Sequence, residues 1–467
     1  MKPSDRPSLR VLYVTPECAP LTKTGGLGDV SGALPAALRA AGIDARVFLP
    51  GYPEVLDGLS FHGETPLQVL GVECRVLAAE NFFVLDCPEL YQREGGPYQD
   101  AHGNDWQDNA LRFAVFCKAA TVLPWRADVV HLNDWPSALV PAYSRDVPSV
   151  LTIHNLAFQG NFDPAVIARL ELPADIFSIE RAEFYGRLSF LKAGITGCDL
   201  VTTVSPTYAR EIQTEAFGCG MDGILRVRSG DLSGILNGID TAVWNPATDA
   251  FLESPYDATK LEKKALNKAA LQRRLNLDVK GDAPLLGMVS RMTEQKGVDF
   301  VAAAIDELVA LPAQVAILGS GHRDYEAALA AAAARHPGRV AVAIGFNEPL
   351  AHLIEAGADI FLMPSRFEPC GLNQMYSQRY GTPPVARATG GLADTIADGQ
   401  TGFLFKTDFV EAVKRAVAAY REPARWRSIQ RAAMARDFSW DAAARRYADL
   451  YGRLATRAAA SPTRTRT

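Results

Sequence analysis

A single carboxylate, in a turn punctuated by proline and glycine, is the side chain of this sequence best placed to do chemistry. Glu368 lies in the stretch 364–374, directly after the apolar run 359–363. A short buried strand that ends in a polar turn and opens a helix is where parallel α/β sheets bind ligands. Pro369 has no N–H, and Gly371 allows close backbone approach, so the turn can offer N–H groups to an anion. This pattern favours chemistry on a phosphorylated sugar, and a surface loop with an incidental acid is the alternative that these residues leave open.

A second candidate phosphate loop follows the first predicted strand, at 10–15. The run KTGGLGDV at 23–30 leads into an amphipathic segment at 31–41. The run matches neither the P-loop order nor the G-x-G-x-x-G fingerprint. Its glycines still permit close backbone approach before a helix start, and Lys23 adds a charge suited to phosphate. We therefore predict a phosphate contact here, with a tight turn and a solvated lysine as the alternative.

Polar clusters follow two further predicted strands. The first half of the chain predicts strands at 45–49, 75–78, 82–85, 128–132, 149–153 and 200–204. Their alternation with helical stretches predicts a largely parallel sheet covered by helices on both faces. HLNDW at 131–135 and TIHN at 152–155 then stand at equivalent strand ends. A lone histidine at such a place is usually structural, but two histidines with an aspartate and amides favour a site.

The second half repeats the same pattern of strand, loop and helix. Strands are predicted at 285–289, 313–318, 340–344 and 384–386, besides the run before Glu368. TGGLAD at 389–394 differs at one position from TGGLGD at 24–29, which supports two similarly built nucleotide-fold domains, although chance similarity remains the alternative. A predicted strand and turn at 235–240 precede the Pro-containing run at 244–249, where we place the domain boundary.

Composition excludes several classes of protein. A length of 467 residues suggests two or three domains, and we expect two. The net charge is −5 and the basic residues are scattered, which argues against nucleic acid as a partner. No run approaches the roughly 20 apolar residues of a membrane span, and residues 1–8 lack an apolar signal segment, so we expect a cytoplasmic protein. Seven cysteines without a C-x-x-C pair predict reduced thiols.

Taken together, these motifs resemble those of a known family. The runs KTGGL, HLNDW, TIHNL, NGID, SR with QKG, and PSRFEPCGL at 364–372 are similar to those of bacterial glycogen synthases and plant starch synthases, over about 10–454. The resemblance implies an α/β fold of the GT-B type, with two facing Rossmann-like doubly wound domains. It divides the chain into an acceptor-side domain at 1–246, a nucleotide-sugar domain at 247–438, a helix crossing back at 439–456 and a flexible tail at 457–467.

The reaction implied by the resemblance is transfer of glucose, with retention, from ADP-glucose to the non-reducing end of an α-1,4-glucan such as glycogen, without a cofactor. Asp134 and His154 would line the catalytic cleft from the first domain. Arg291 and Lys296 would neutralise the charge that builds on the departing diphosphate. Glu368 would bind or stabilise the glucosyl group.

The resemblance also implies contacts to the sugar donor. They fall on Lys23, Gly25, Gly26, Asn237, Lys268, Gly345, Phe346, Cys370, Gly371 and Leu372. Phe346 stands where relatives often carry a tyrosine that packs on the nucleobase, so stacking is retained. Tyr376 stands where many retaining GT-B enzymes have the second glutamate of Glu-x7-Glu, which leaves the ribose contact unassigned.

The absence of a D-x-D pair from the sequence bears on metal use. Lys23, Arg291 and Lys296 are the available substitutes for a bridging metal, so we expect activity that EDTA does not abolish. Two alternatives stay open: another GT-B transferase, with UDP-glucose or a smaller acceptor, and a weakly catalytic glucan-binding protein. The retained cations and Glu368 argue against the second. The route of retention, covalent or not, also stays open.

Overall fold

Two sheets built mostly of parallel strands organise the chain, and each lies in its own compact unit. The computed structural model describes residues 9–460. One unit runs as far as Gly238 and takes in the chain again from Trp440, and the other covers Ile239–Ser439. The prediction that concerns residues 1–8 lies outside the described residues.

The first unit contains a nine-stranded sheet and a small three-stranded one. Its strands are β1 (Arg10–Val14), β2 (Asp44–Pro50), β3 (Gly63–Val69), β4 (Val72–Ala78), β5 (Phe82–Asp86), β6 (Val129–Asn133), β7 (Ser149–Ile153), β8 (Asn161–Phe162), β9 (Glu183–Phe184), β10 (Arg187–Ser189), β11 (Leu200–Thr203) and β12 (Leu232–Gly234). The large sheet has the order β12-β11-β7-β6-β1-β2-β5-β4-β3, parallel except at the β5-β4-β3 edge. β6 and β7 are buried along their whole length, as expected for parallel strands covered on both faces.

The helices of this unit connect the strands. They are α1 (Gly26–Ala40), α2 (Pro53–Gly58), α3 (Pro88–Tyr91), α4 (Asn109–Ala120), α5 (Val140–Tyr143), α6 (Phe190–Gly197), α7 (Pro206–Glu211) and α8 (Asp222–Val227). α1 directly follows the glycine loop after β1, so the first N–H groups of this helix lie at the carboxyl end of the sheet.

The second unit is a doubly wound sheet. Its strands are β13 (Leu285–Val289), β14 (Gln314–Gly319), β15 (Val340–Ile344), β16 (Ile360–Met363), β17 (Pro384–Arg387) and β18 (Phe403–Phe405), all parallel, in the order β15-β14-β13-β16-β17-β18. Its helices are α9 (Lys264–Arg274), α10 (Val298–Ala310), α11 (Arg323–Arg335), α12 (Glu348–Gly357), α13 (Asn373–Arg379), α14 (Gly390–Thr395), α15 (Phe409–Tyr420) and α16 (Pro423–Met434).

Alternate residues of the strands enter two separate cores, one on each face of this sheet. Leu286 of β13 packs in a cluster with α10 and α15, and its neighbour Leu285 packs in a second cluster with α9 and α12. A strand places successive side chains on opposite faces, so apolar runs such as β13 bury both. The two cores together fix the positions of the strands and therefore of the strand ends.

The last helix, α17 (Trp440–Ala460), returns to the first unit and packs against α1. The predicted crossing back is therefore confirmed. The helix continues through residues 457–460, which the sequence assigned to a flexible tail, and residues 461–467 of that predicted tail lie outside the described residues. No helix of the described chain combines the length and the apolar character that a membrane span requires.

The local differences between prediction and structure include a misplaced strand and strands that were not predicted, among them β3, β8, β9, β10 and β18. The strand expected at 235–240 is β12, which ends at Gly234. At Gly238 an added Cβ would meet the Trp440 backbone at 2.7 Å, so the chain passes directly beside the start of α17. β3 was not predicted, because most of its residues are exposed and it contains Pro66.

Candidate functional site

The strand order of the second unit locates its ligand site. Successive strands proceed outward from β13 in one direction and from β16 in the other, and ligands of doubly wound sheets bind at the carboxyl ends beside this switch point. Arg291 and Lys296 lie in the loop after β13, and Glu368 lies in the turn after β16. The fold therefore brings the predicted catalytic residues of this unit to the same crevice.

Lys296 and Glu368 form a buried ion pair. The Lys296 Nζ lies 2.6 Å from Glu368 Oε2, and the side chains are 19% and 7% exposed. Ser365 Oγ donates a second hydrogen bond to the same oxygen, at 3.0 Å. Among the described residues, no group donates to the other oxygen, Oε1. One carboxylate oxygen is thus fixed by the protein, and the second is available to a ligand hydroxyl.

Contacts between the two loops fix the register of this pair. The Arg366 N–H donates to the Gln295 carbonyl at 2.8 Å, and the Arg366 guanidinium makes bonds of 2.6 and 2.7 Å to the two Asp299 oxygens. These bonds lower the pKa of Asp299. Gly297 has φ +67°, and a Cβ there would lie 2.2 Å from the Pro364 carbonyl oxygen. The close approach of the loops therefore requires glycine at this position.

The glycines of the two similar runs, at 24–29 and 389–394, have different surroundings. At Gly390 an added Cβ would lie 1.9 Å from the Glu368 carbonyl oxygen, and at Gly391 it would lie 2.0 Å from that of Cys370. These glycines let α14 pack under the turn that carries Glu368. At Gly25 and Gly26 an added Cβ would meet nothing within 4 Å. The protein does not fill the space beside this pair, which leaves room for a ligand.

Three further predicted residues of the second unit, Arg291, Gly345 and Phe346, follow strands at the same carboxyl edge. Arg291 is exposed and forms no ion pair with any described residue. Gly345 follows β15 with φ +121°, and the Phe346 ring beside it is 91% exposed. An aromatic side chain so exposed after a strand end offers a stacking surface.

The turn residues after Glu368 shape its surroundings. Gly371 has φ +72°, and a Cβ there would lie 3.0 Å from Glu368 Cγ. Leu372 is half-buried and stands directly before α13, and Cys370 is buried. The structure describes all seven cysteines, and none forms a disulfide. These residues lie beside the carboxylate as predicted, and their contact with a sugar donor stays a prediction.

Lys268 lies elsewhere. Its Nζ is 2.7 Å from Asp359 Oδ2 and also donates to the Gly281 and Ala283 carbonyls. Asp359 precedes β16 and also accepts the N–H of Leu285, the first residue of β13, at 2.9 Å. Lys268 is therefore buried at the amino end of the sheet, opposite the Glu368 edge, and its ammonium is already engaged. The prediction that it contacts the sugar donor is corrected by this geometry.

Tyr376 has a structural partner. Its ring stacks on Trp244 with centroids 3.8 Å apart, and the other face of Trp244 stacks on His352 at 3.9 Å. Arg379 also donates to the Trp244 carbonyl at 2.6 Å. The run at 244–249, where the sequence places the domain boundary, is thus packed inside the second unit. Tyr376, which stands in place of the second glutamate of Glu-x7-Glu, anchors that run.

In the first unit, Asp134 and His154 meet at neighbouring strand ends. Asp134 follows β6, and its Oδ1 accepts the His154 N–H at 2.7 Å. Burial raises the pKa of Asp134 to about 7, the backbone N–H groups of His154 and Asn155 oppose this, and the charge of Glu17 adds to it. Asp134 also has φ +55°, a conformation that costs energy outside glycine and is typical of functional sites.

Hydrogen bonds fix the tautomer of His154. Asn133 Nδ2 donates to the Val14 carbonyl at 3.0 Å, so its Oδ1 is the atom that faces His154 Nε2, also at 3.0 Å. Since a carbonyl oxygen only accepts, Nε2 carries the proton and Nδ1 is an acceptor. Burial lowers the pKa of His154 to about 3. His154 is therefore a neutral imidazole with one acceptor nitrogen.

A buried glutamate holds the glycine loop, and the sequence analysis missed it. Glu17 Oε2 accepts the N–H groups of Thr24 at 2.5 Å and Gly25 at 3.1 Å, and Oε1 accepts the Tyr98 hydroxyl at 2.6 Å. Lys23, in the same loop, is half exposed and pairs with Asp29 at 2.7 Å. The Gly25 N–H is thus engaged by the protein, although the space beside it is open.

Two other polar residues of this unit, His131 and Asn237, differ in their contacts. His131 is buried, with Nε2 2.6 Å from Thr152 Oγ1 and Nδ1 2.6 Å from the Tyr451 hydroxyl, so it fastens α17 to the sheet. Asn237 is half-buried after β12 and makes no side-chain hydrogen bond to the described residues. The structure gathers Lys23, Asp134, His154 and Asn237 at one sheet edge.

Comparison with known proteins shows the family to which this chain belongs. The family model of the starch synthase catalytic domain matches residues 10–227, and that of glycosyl transferases group 1 matches 272–432. A glycogen synthase of Aromatoleum aromaticum is 53% identical, covering 97% of this chain and 98% of its own. This chain belongs to the glycogen synthase family.

Further relatives agree. A glycogen synthase of Nitrosomonas eutropha is 50% identical over 97% of each chain. The catalytic domain of starch synthase IV from Arabidopsis thaliana, solved with ADP and acarbose, has a TM-score of 0.84 and 31% identity, over 96% of this chain and 100% of that one. A sucrose-phosphate synthase of Thermosynechococcus elongatus, at 19% identity and a TM-score of 0.61, shares the fold. The predictions of a GT-B fold and of a glycogen synthase type of hexosyltransferase are confirmed.

Proposed function

We propose that this glycogen synthase transfers glucose from ADP-glucose to the non-reducing end of an α-1,4-glucan, with retention at the anomeric carbon. The observation that carries the proposal is the buried Lys296–Glu368 pair at the switch point of the second unit. The pair sets a cation and a carboxylate side by side, which suits a substrate that joins a diphosphate to a sugar.

The two cations act on the leaving group. Negative charge builds on the diphosphate as the glycosidic bond breaks, and preorganised cations stabilise the transition state most where charge develops. Lys296 is held by Glu368, and Arg291 stands exposed in the same loop without an internal ion pair among the described residues. Loss of one such group typically lowers turnover about 100- to 1,000-fold.

Glu368 binds the glucosyl group. Its Oε2 is occupied by Lys296 and Ser365, and its Oε1 is open to a sugar hydroxyl. A carboxylate whose charge is neutralised in this way is a weaker nucleophile than a free one, which favours hydroxyl binding over formation of a covalent glycosyl intermediate.

The first unit contributes Asp134, His154 and the glycine loop to the same reaction. Asp134 titrates near neutral pH, and neutral His154 offers an acceptor nitrogen to a substrate hydroxyl. Lys23 and the open backbone at Gly25 and Gly26 suit a phosphate or sugar oxygen that approaches closely.

A donor comparison tests the proposal. Initial rates of nucleoside diphosphate release are measured with ADP-glucose and UDP-glucose, with glycogen as the acceptor. We expect ADP-glucose to be the better substrate by at least about tenfold in kcat/KM, or about 1.4 kcal/mol. UDP-glucose as the better substrate would favour the alternative transferase, and no turnover with either would favour a glucan-binding protein.

A matched pair of variants tests the role of Glu368. Glu368→Gln keeps the shape and removes the charge, and we expect turnover to fall by a few orders of magnitude with little change in the affinity for ADP. Glu411→Gln makes the same change at an exposed position of α15 and should leave turnover unchanged. Normal turnover of Glu368→Gln would remove this residue from the mechanism.

Two further properties stay predictions. Metal independence rests on Lys23, Arg291 and Lys296 serving in place of a bridging ion. A cytoplasmic location rests on the seven cysteines, because none of them forms a disulfide and reduced thiols suit a reducing compartment.

A further inference from the structure

The first unit contains a cavity of about 470 Å³, and of the residues in its wall only Lys23 has a role in the proposed reaction. Its wall includes Tyr52, Tyr91, Arg93, Trp106 and Arg112, and one side is formed by the loop that carries Lys23. This volume is in the range of ordinary small-molecule sites, which span about 300–1,000 Å³. All of these residues belong to one compact unit.

Arg112 is the unusual member of this wall. Its side chain is among the largest fully buried ones, at 2% exposure. Nε donates to the Leu90 carbonyl at 2.9 Å, and Nη1 donates to the Pro97 carbonyl at 3.0 Å and to Asn109 Oδ1 at 2.7 Å. Within residues 9–460, no acceptor faces Nη2 and no carboxylate pairs with this guanidinium. A guanidinium stays charged in proteins, so this buried cation lacks a counter-ion.

Tyr52 supplies a second unsatisfied group in the same wall. Its hydroxyl is buried and has no hydrogen-bond partner among the described residues. Burial raises the pKa of Tyr52, and the charge of the nearby Arg112 partly opposes this, so the phenol keeps its proton. A buried donor without a partner destabilises the folded state, because it has lost its hydrogen bonds to water. Both residues line the cavity, and among the described residues two N–H groups of Arg112 and the O–H of Tyr52 have no acceptor.

The other charges of the wall add to its preference for an anion. Arg93 lies within 5.2 Å of the Trp106 ring centroid and is paired with Asp108, and Lys23 is paired with Asp29. Glu54 is the acidic residue of the wall, and it is exposed. The two paired cations are neutralised by partners of their own, so the charge of Arg112 remains to be matched.

We propose that this cavity is a binding site for the phosphate group of a small phosphorylated metabolite, with Arg112 and Tyr52 as its ligands. The flat fork of a guanidinium matches phosphate oxygens through paired N–H groups, and the phenol adds a third donor. The volume accommodates the carbon skeleton of a phosphate monoester beside the phosphate group. Because Lys23 and Thr24 border the cavity, its occupant lies against the glycine loop.

The test is calorimetric titration of the full chain with glycerol 3-phosphate, glucose 1-phosphate, inorganic phosphate and glucose. Saturating ADP is present throughout, so that the sugar-donor site is filled and the result does not depend on the proposed transfer reaction. We expect both esters to bind with one-to-one stoichiometry, inorganic phosphate to bind at least about threefold more weakly, and glucose to give no signal. Absence of ester binding, or inorganic phosphate as tight as both esters, would overturn the assignment.

Variants locate the binding. Tyr52→Phe removes only the unpartnered hydroxyl, so the fold should be kept, and we expect ester affinity to fall about three- to tenfold. Arg112→Lys keeps the charge but loses the fork, and should lower affinity at least about tenfold if it folds. Arg169→Gln removes an exposed cation of the same unit as a control. Unchanged ester binding in Tyr52→Phe would refute the site. Binding of maltotetraose that Tyr52→Phe abolishes would also refute it, because the cavity would then hold a neutral glucan.

Discussion

The substitution Gly26→Ala tests whether a ligand approaches the backbone at this position, because the added methyl group should not disturb the fold. Gly26 is the first residue of α1, and an added Cβ would meet nothing within 4 Å. Alanine in a helix is favoured over glycine by roughly 0.5–1 kcal/mol, so Gly26→Ala should be at least as stable as the wild type. If the sugar donor lies against this backbone, the new methyl group must displace it. We expect the KM for ADP-glucose to rise at least about tenfold, or about 1.4 kcal/mol.

Gly391→Ala is the structural counterpart of this variant. There the methyl group would lie 2.0 Å from the Cys370 carbonyl oxygen, so the turn that carries Glu368 must move. Overpacking of this kind costs about 1–3 kcal/mol or more, and kcat should fall with stability. Gly452→Ala in α17, where an added Cβ also meets nothing within 4 Å, is the control for a helix position without a ligand.

The assay combines thermal unfolding with initial rates over a range of ADP-glucose concentrations. The expected pattern is raised KM with normal stability for Gly26→Ala, lost stability and kcat for Gly391→Ala, and neither change for Gly452→Ala. A wild-type KM for Gly26→Ala would refute the approach of the sugar donor to this backbone. A loss of stability equal to that of Gly391→Ala would refute the reasoning from open space.

Four further predictions concern other parts of the site. Glu17→Ala removes the acceptor that holds the glycine loop, so the KM for ADP-glucose should rise about tenfold in rate assays, and an unchanged KM would contradict this role. Lys268→Met leaves Asp359 buried without its partner, so urea unfolding should show a loss of about 3–5 kcal/mol while KM stays within about twofold. Because the raised pKa of Asp134, about 7, keeps it protonated at lower pH, activity should fall as pH drops through 7, and Asp134→Asn should lack this limb. The same shift means that the contribution of Asp134 to stability decreases as pH rises from about 4 to 7, so the variant should also lose that slope in unfolding experiments. EDTA should leave the rate with ADP-glucose unchanged, and loss that magnesium restores would contradict metal independence.

Strands that are apolar and short were predictable from the sequence. β7, β13 and β15 have the predicted bounds, because short and largely apolar runs are typical of the strands of parallel sheets. β3 lacked that signal because it is an exposed antiparallel edge strand. The strand expected at 235–240 was misplaced because Ile235 and Ile239 are buried without belonging to β12, and an apolar pattern indicates burial rather than strand pairing.

The site residues were predictable where they follow a strand end. Glu368, Lys296, Asp134 and His154 all stand in such positions, and strand order alone brings each pair together. The contact of Lys268 was implied by the resemblance alone, and neither the resemblance nor the helical pattern of 264–274 shows which end of the sheet this lysine reaches. Glu17 was missed because residue type alone does not distinguish a carboxylate that accepts backbone N–H groups from a solvated one. A glutamate between a buried strand and a glycine loop is a signal that could have found it.

The same limit applies to the two glycine strings. Their letters agree at five of six positions, yet one pair packs against backbone and the other borders open space. Which role a glycine has depends on what lies beside it, and local sequence does not contain that information.

The central claim is that this chain extends α-1,4-glucans from ADP-glucose, and the fate of labelled glucose tests it most directly. The enzyme is incubated with glycogen and ADP-glucose labelled in the sugar, and the washed polymer is then digested with β-amylase, which releases maltose from non-reducing ends. The account predicts that the label enters the polymer and is released as maltose. Label that does not enter the polymer, or that enters and resists this digestion, would contradict it.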